Sequence, residues 1–407
     1  MISKEIWRYS LLNLNNRKMR SFLTILSVMV GIATIFIFVS FGFGLYNYVN
    51  SFQEELGIDK IVVQPRGIGG PGSDTTFRLD DTDLRIIERT RGISNIAGMM
   101  FRTAEIENNN EIRFNFFVSF PVHNADQFEL AMEFMTVDVI DGRNLRRGDR
   151  NKVVLGYGYK VPNRIFARPL RVNDRIIVNG QRLDVVGFFE ELGNPADDAN
   201  IYTDEETYRR VVGITENNYA MIAARVDSVD NIPEIIERVE RNLRSHRNQD
   251  EGKEDFFVQS FEELLQAFQN SLNFIIGFIF LIAFVSVVVS AINTANTMFT
   301  SILERTKEIG VLKSIGARNS QIMTLFLLEA GIQGFIAGVV GTFIGFLVAW
   351  VGGNVLSAVG FGFLQPYFSI PLFLACILFS TLVGTFSGVI PAYNASKQKP
   401  VDSLRYE

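Results

Sequence analysis

Cysteine, histidine and tryptophan are almost absent from this 407-residue chain, which holds one, two and two of them. The single cysteine, Cys376, forms no intrachain disulfide. Any domain exported from the cytosol must therefore rely on its own core, which a segment of about 200 residues can supply. His123 and His246 stand far apart without cysteine neighbours, so neither zinc-ligand spacing nor a histidine-based triad is present. No G-x-x-x-x-G-K-S/T occurs, and so no P-loop cradles a nucleotide. Gly67-Ile-Gly-Gly-Pro-Gly72 lacks the lysine and the helix pattern of a phosphate loop and reads as a connection. Asp80, Asp81 and Asp83, like Asp197 and Asp198, lack calcium-loop spacing and read as solvated carboxylates. The chain reads as a non-enzyme with no catalytic, metal or cofactor residue of its own.

Charge is missing too, but only locally. Residues 22–49, 264–303 and 330–396 contain no Asp, Glu, Lys or Arg, in a chain that is 47% hydrophobic and holds 36 Phe. A helix crossing the hydrocarbon core needs about 20 apolar residues, and the third stretch is long enough for two. The expected fold class is an α-helical membrane protein with four transmembrane helices, at 21–49, 269–300, 320–352 and 368–395. A large α+β extracytoplasmic domain in two lobes occupies 50–268 between the first two, with 301–319 and 353–367 as short connections and 396–407 as a tail.

Charge also sets the orientation. Residues 1–48 carry five basic side chains and one acidic, and basic residues recur in 301–319 and in the tail, whereas 353–367 has none. Lys and Arg in short loops accumulate on the cytoplasmic side, so both termini are expected inside the cell membrane and the large domain outside. The first apolar run is too long for a signal h-region. Ile2, Ile6, Trp7, Leu11, Leu12 and Leu14 among polar residues predict an amphipathic interfacial helix over 1–20, with Trp7, Arg17, Lys18 and Arg20 at the lipid interface. Residues 49–270 hold 27 basic against 38 acidic side chains, which excludes a nucleic-acid surface.

Within the external region, strands alternate with helices, and residues 100–215 are expected to form one lobe. Asn179-Gly180 between Arg175-Ile-Ile-Val and Gln181-Arg-Leu-Asp-Val-Val predicts a hairpin with a type I′ turn. Ser260-Phe-Glu-Glu263 is a capping-box pattern opening a helix. That helix is expected to run on to about 303 and to form, with the extension of the first span, a two-helix stalk; a break near Asn270 or Gly277 is the alternative. Gly331, Gly334, Gly338, Gly341 and Gly345, with Gly384 and Gly388, make faces on which helices approach closely, within one subunit or across a dimer. Glu329 is the one ionisable residue near a span interior, read as snorkelling to the interface or bonding a neighbouring helix.

The segment Ser301-Ile-Leu-Glu-Arg-Thr-Lys-Glu-Ile-Gly-Val-Leu-Lys-Ser-Ile-Gly-Ala317 is the most informative stretch. It is a short, charged, gently amphipathic segment between two long apolar runs, more shaped than a simple turn requires. Glu304-Arg-Thr-Lys-Glu-Ile-Gly310 and Lys313-Ser-Ile-Gly-Ala317 resemble the permeases of the MacB/FtsX/LolC–LolE type, the mechanotransmission ABC proteins. Arg17-Lys-Met-Arg-Ser-Phe-Leu-Thr-Ile-Leu26, Leu79-Asp-Asp-Thr-Asp-Leu, Asp141-Gly-Arg-Asn-Leu145, Val153-Val-Leu-Gly-Tyr-Gly158 and Val172-Asn-Asp-Arg-Ile-Ile-Val-Asn-Gly180 extend the resemblance over nearly the whole chain. Pro391-Ala-Tyr-Asn-Ala-Ser396 and Pro400-Val-Asp-Ser-Leu-Arg-Tyr-Glu407 complete it.

The resemblance implies a dimer of permeases, homomeric or heteromeric, working with a separate ATPase that carries the ATP and magnesium. It implies that 304–317 is a coupling helix, with Glu304, Arg305, Thr306, Lys307, Glu308, Ile309, Gly310, Leu312, Lys313, Gly316 and Ala317 as coupling residues. Nucleotide-driven motion would reach the external domain, which acts on an amphiphilic, peptide or lipid-linked substrate, with an adaptor or substrate protein as a further partner. The alternatives are an FtsX-like regulator of external partners that transports nothing, and a ligand-binding receptor, which the short cytosolic segments disfavour.

Overall fold

A computed structural model describes residues 18–56, 58–67 and 78–399. The expected interfacial helix, with Trp7 and Arg17, lies outside the described residues, as does the end of the tail; Lys18 and Arg20 fall in the first turn of a helix. The element order opens with α1 (Lys18–Leu56), β1 (Lys60–Pro65), α2 (Asp81–Glu88), β2 (Ile93–Met99), β3 (Phe101–Asn108), β4 (Glu111–Phe120), α3 (Ala125–Met135), β5 (Val139–Gly142) and β6 (Lys152–Leu155). It continues with β7 (Arg175–Val178), β8 (Gln181–Phe189), β9 (Ile201–Asp204), α4 (Glu205–Val212), β10 (Met221–Val226), α5 (Ile232–Arg247) and β11 (Phe256–Ser260). The last elements are α6 (Phe261–Glu304), α7 (Thr306–Ser314), α8 (Asn319–Val359), α9 (Ile370–Ser387) and α10 (Val389–Ser396). These divide into two compact units, one of helices and one of mixed α/β structure.

Among the described residues, four stretches are long and apolar enough to cross a membrane, Phe22–Ser51, Phe261–Glu304, Asn319–Val359 and Ile370–Ser396, and the helical unit holds most of each. Helix α6 runs unbroken through Asn270 and Gly277 for 44 residues. At 1.5 Å per residue that is about 66 Å, roughly twice the hydrocarbon thickness. The Ser260 and Glu263 side chains close its capping box, each accepting the other's backbone N–H at 3.0 Å.

Two expected boundaries are corrected. The third apolar helix passes Gly352 and Gly353 and ends seven residues later, at Val359. Gly353 serves close approach instead, since a Cβ there would lie 2.5 Å from Pro366 Cδ. The stop is Gly360, at φ +105, where the Phe361 N–H reaches back to the Leu356 carbonyl at 2.8 Å in a Schellman closure. The fourth span is interrupted at Gly388 between α9 and α10. Pro391 offers no N–H to the Ser387 carbonyl and crowds it, which ends the preceding helix there.

The glycine row of α8 serves two neighbours within the same chain. A Cβ at Gly334 would stand 2.6 Å from the Ser380 carbonyl oxygen of α9, and one at Gly384 would stand 2.8 Å from the Ala330 carbonyl oxygen. The Ser380 hydroxyl donates to the Gly334 carbonyl at 2.7 Å. Gly341 and Gly345 press instead on Met29, Ala33 and Phe36 of α1.

The α/β unit has two sheets. An antiparallel sheet ordered β11-β1-β10-β2 is buried on both faces. Ile61 and Val63 point to a core with Ile235, Val239 and Leu243 of α5. Val62 points the other way, to a core with Leu130 and Phe134 of α3. At the start of β1, Lys60, 1% exposed, is held by Asp59 at 2.9 Å and Glu133 at 2.7 Å, and Arg225 bonds both carboxylates. A mixed seven-stranded sheet, ordered β5-β8-β6-β9-β4-β3-β7, folds back on itself through an added β7–β8 pairing. That pairing is the expected hairpin, with Asn179 and Gly180 both at positive φ.

Asp83 and Asp198, read from the sequence as solvated, are each 1% exposed; Asp198, between β8 and β9, accepts the Leu192 N–H at 2.8 Å and lies 4.0 Å from Arg164. Burial pushes its carboxyl up to about 6. Glu254 is opposite in sense, held at about 2 by the Arg244 guanidinium, the nearby backbone N–H groups adding to the effect.

Two outcomes are expected. Gly384→Val forces backbones apart and costs about 1–3 kcal/mol, read as a lowered unfolding midpoint of the full chain in detergent. A carboxyl whose folded value lies above its ordinary 3.8 binds its proton more tightly when folded. Stability from Asp198 therefore declines as pH rises from about 4 to about 6, by at most about 3 kcal/mol. Asp198→Asn should raise the unfolding temperature at pH 7 and leave it unchanged at pH 4.

Candidate functional site

Between α6 and α8 the chain makes a short foot. The coupling helix expected over 304–317, within the 301–319 connection, is corrected: Glu304 belongs to α6, and only Thr306–Ser314 forms a separate helix. Arg305 leaves helical geometry at φ −106 and ψ 16. The Thr306 hydroxyl donates back to the Leu303 carbonyl at 2.8 Å, a bond that bends helices. The Arg305 side chain turns inward, 5% exposed.

The far end is closed by Gly316. It sits at φ +101, with the Ala317 N–H bonded to the Leu312 carbonyl at 3.0 Å and the Gly316 N–H to the Lys313 carbonyl at 3.1 Å. A Cβ there would meet nothing within 4 Å, so the position is set by backbone conformation alone.

The foot has two faces. Inward, Ile309 packs with Met298 and Ile302 of α6, Ile322, Phe326 and Ala330 of α8, and Ala392 and Ala395 of α10, with Leu312 and Ala317 at the margin. Gly310 is buried beside Ile309. Arg305 NH1 bonds Glu329 Oε2 at 3.0 Å, its Nε bonds Glu308 Oε2 at 3.1 Å, and its guanidinium lies over the Phe326 ring at 5.4 Å. Lys313 Nζ donates to the carbonyls of Ser396 at 2.7 Å and Gln398 at 2.6 Å. Glu329 thus bonds a neighbouring segment, one of the two roles read for it.

Outward, Glu304, Lys307, Glu308, Val311, Ser314, Ile315 and Arg318 are exposed. On α7 and its C-cap, Lys307, Glu308, Val311, Ser314 and Ile315 recur at helical spacing and share one stripe, with Glu304 before it and Arg318 after it. Ile315 is 77% and Val311 51% exposed, two apolar side chains among charges.

The expected coupling residues therefore separate. Glu304, Lys307 and Glu308 face out, with Gly316 exposed at the turn; Arg305, Ile309 and Gly310 face in; Thr306, Leu312, Lys313 and Ala317 are half-buried. Val311, Ser314, Ile315 and Arg318 face outward and were absent from the expected set, although the helical period counted from Lys307 and Glu308 reaches the first three. Among the described residues no group of three or more His, Cys, Asp or Glu could hold a metal ion.

The MacB-like periplasmic core domain model matches residues 21–242, and the FtsX-like permease C-terminal model matches 280–400. An ABC transporter permease of Methanocaldococcus jannaschii is 29% identical over 99% of this chain and 98% of its own length. The macrolide export ATP-binding/permease protein MacB of Psychrobacter arcticus is 25% identical over 98% of this chain and 59% of its own length. This chain therefore spans little more than half of that two-part relative. The solved periplasmic region of MacB from Actinobacillus actinomycetemcomitans covers 54% of this chain and 96% of that one, at 16% identity and a TM-score of 0.42.

Gly316→Ala should cost about 1–2 kcal/mol locally, because an L side chain is disfavoured at that positive φ. Hydrogen exchange of the Gly316 and Ala317 amides should quicken accordingly; unchanged protection would show that Gly316 is not what closes the helix.

Proposed function

This chain belongs to the MacB-like and FtsX-like family of ABC transporter permeases, and from that premise we propose that its 304–318 foot is the surface on which a cytosolic ABC ATPase acts. The carrying observation is the outward stripe. Val311 and Ile315 are exposed apolar side chains ringed by Glu304, Lys307, Glu308 and Arg318, on a helix whose other face is locked into its own unit. A small apolar centre with a charged rim is the composition of a protein interface.

The chain is a multi-pass membrane protein with a large extracellular domain. The distribution of Lys and Arg favours an inside position for the foot. ATP, held by the partner with its magnesium, supplies the energy; the residues of this chain receive a displacement. Ile309 and Leu312 pass it to the inner ends of the apolar helices, and the unbroken α6 is long enough to carry it beyond the bilayer. The work done outside is export or extrusion of an amphiphilic, peptide or lipid-linked substrate, a reading supported by relatives named for macrolide and syringafactin export. Permeases of this kind are expected to act in pairs.

The test is ATP hydrolysis by the full chain in lipid, alone and with the ABC ATPase encoded nearest to it. Activity should depend on the mixture. Val311→Asp with Ile315→Asp should weaken the complex at least tenfold. Ile309→Pro, which removes the N–H bonded to the Arg305 carbonyl at 3.0 Å, should leave insertion intact and abolish stimulation by substrate. Full stimulation in the Ile309→Pro variant, or no complex with any ATPase, would overturn the assignment.

A further inference from the structure

The nine-residue α7 is joined to its neighbours at two weak points. At Arg305 the backbone leaves helical geometry, and at Gly316 it turns through a left-handed residue with open space around it. A short helix between two such joints would swivel when pushed, and a displacement applied to its outer stripe would be dissipated. What prevents this is a set of side-chain fasteners, and they lead to α8 and α10 more than to α6.

The strongest is buried. Glu329 is the only charged residue in 319–396, on a helix otherwise fit for hydrocarbon. Its carboxylate meets Arg305 NH1 at 3.0 Å, with both side chains under 8% exposed. The same guanidinium bonds Glu308 and covers the Phe326 ring of α8. The planar guanidinium offers donors in fixed directions, so it locks orientation as well as distance. A second fastener runs from Lys313 to the carbonyls of Ser396 and Gln398. An apolar pair of similar volume would stabilise such a buried position as well as an ion pair, or better. Stability alone therefore gives no reason for this lone charge; rigid geometry does.

We propose that Arg305 and Glu329 are a positioning pair that makes the foot move as one body with the third and fourth apolar helices, so that a push on the stripe is delivered to α8 and α10 and not to α6 alone. The inference rests on the coupling role proposed above and adds to it the route by which force leaves the foot. Neither residue touches the partner's nucleotide; both act through the placement of α7.

The experiment uses the full chain in lipid with its ATPase. It reads complex formation, ATP hydrolysis, and the nucleotide-dependent change in hydrogen exchange at the inner ends of α6, α8 and α10, with and without ATP and vanadate. The discriminating variant is Arg305→Met with Glu329→Leu, which keeps volume and removes the pair without leaving a buried lone charge. Read at saturating ATPase and per complex formed, the response of α8 and α10 should fall at least fivefold while that of α6 persists. The reversed pair, Arg305→Glu with Glu329→Arg, should recover at least half of the response, and Arg305→Lys should recover less, because an ammonium lacks the fixed fork.

A Met/Leu variant whose α8 and α10 respond like the parent would overturn the proposal and leave the pair as packing. Failure of the reversed pair to restore a response that the Met/Leu variant has lost would overturn it as well. A parent that binds and drives its ATPase without any response in α8 would sink the positioning role alone, leaving the coupling assignment standing. A parent that recruits no ATPase would sink both.

Discussion

Apolar helices in hydrocarbon gain little from burying apolar surface, because lipid tails are as apolar as leucine; they associate by close packing and by a few internal polar bonds. The helical unit is built around that constraint. Gly334 and Gly384 let α8 and α9 approach until a Cβ would meet a carbonyl oxygen, and Gly341 and Gly345 do the same against α1. Several polar groups on these helices bond within the unit. Thr381 and Thr385 donate to carbonyls one turn back on their own helix, and Ser380 donates across to Gly334. The one charge in 319–396, Glu329, is met by Arg305. Helix spacing, and with it the position of the foot beneath the helices, follows from these contacts.

The α/β unit obeys the opposite economy. In water it gathers ordinary cores on both faces of its sheets and tolerates a buried charge cluster at Lys60 because two carboxylates and Arg225 surround it. It needs no disulfide. The two sheets keep separate roles: the antiparallel sheet receives the chain from α1 and returns it to α6, while the seven-stranded sheet is a long insertion between β2 and β10.

Much of this was legible in the sequence wherever a local rule decides the outcome. Charge-free runs gave the four apolar helices, Asn179-Gly180 gave the hairpin, and Ser260 with Glu263 gave the start of α6. What escaped was set by tertiary contact. Gly352 and Gly353 look like a stop, yet Pro366 packs on Gly353 and the helix continues to Val359. Pro391 interrupts the fourth span four residues upstream, at the carbonyl that its ring crowds. In the foot, the residue types of 301–317 are readable, but the break at Arg305, whose side chain turns in to a glutamate 24 residues away, is not. Periodicity counted from Lys307 and Glu308 recovers Val311 and Ile315; nothing local recovers Glu329 as the partner of Arg305.

Ser260 holds two positions at once. It is the last rung of the ladder between β11 and β1, opposite Ile61, and it is also the residue whose side chain caps α6. No residue intervenes between sheet and helix. A junction with an intervening loop has play, so that a helix can turn some way before the strand it follows must move. Here a twist of the first turn of α6 about its axis shears the rung at Ile61 directly, and the junction has no backlash.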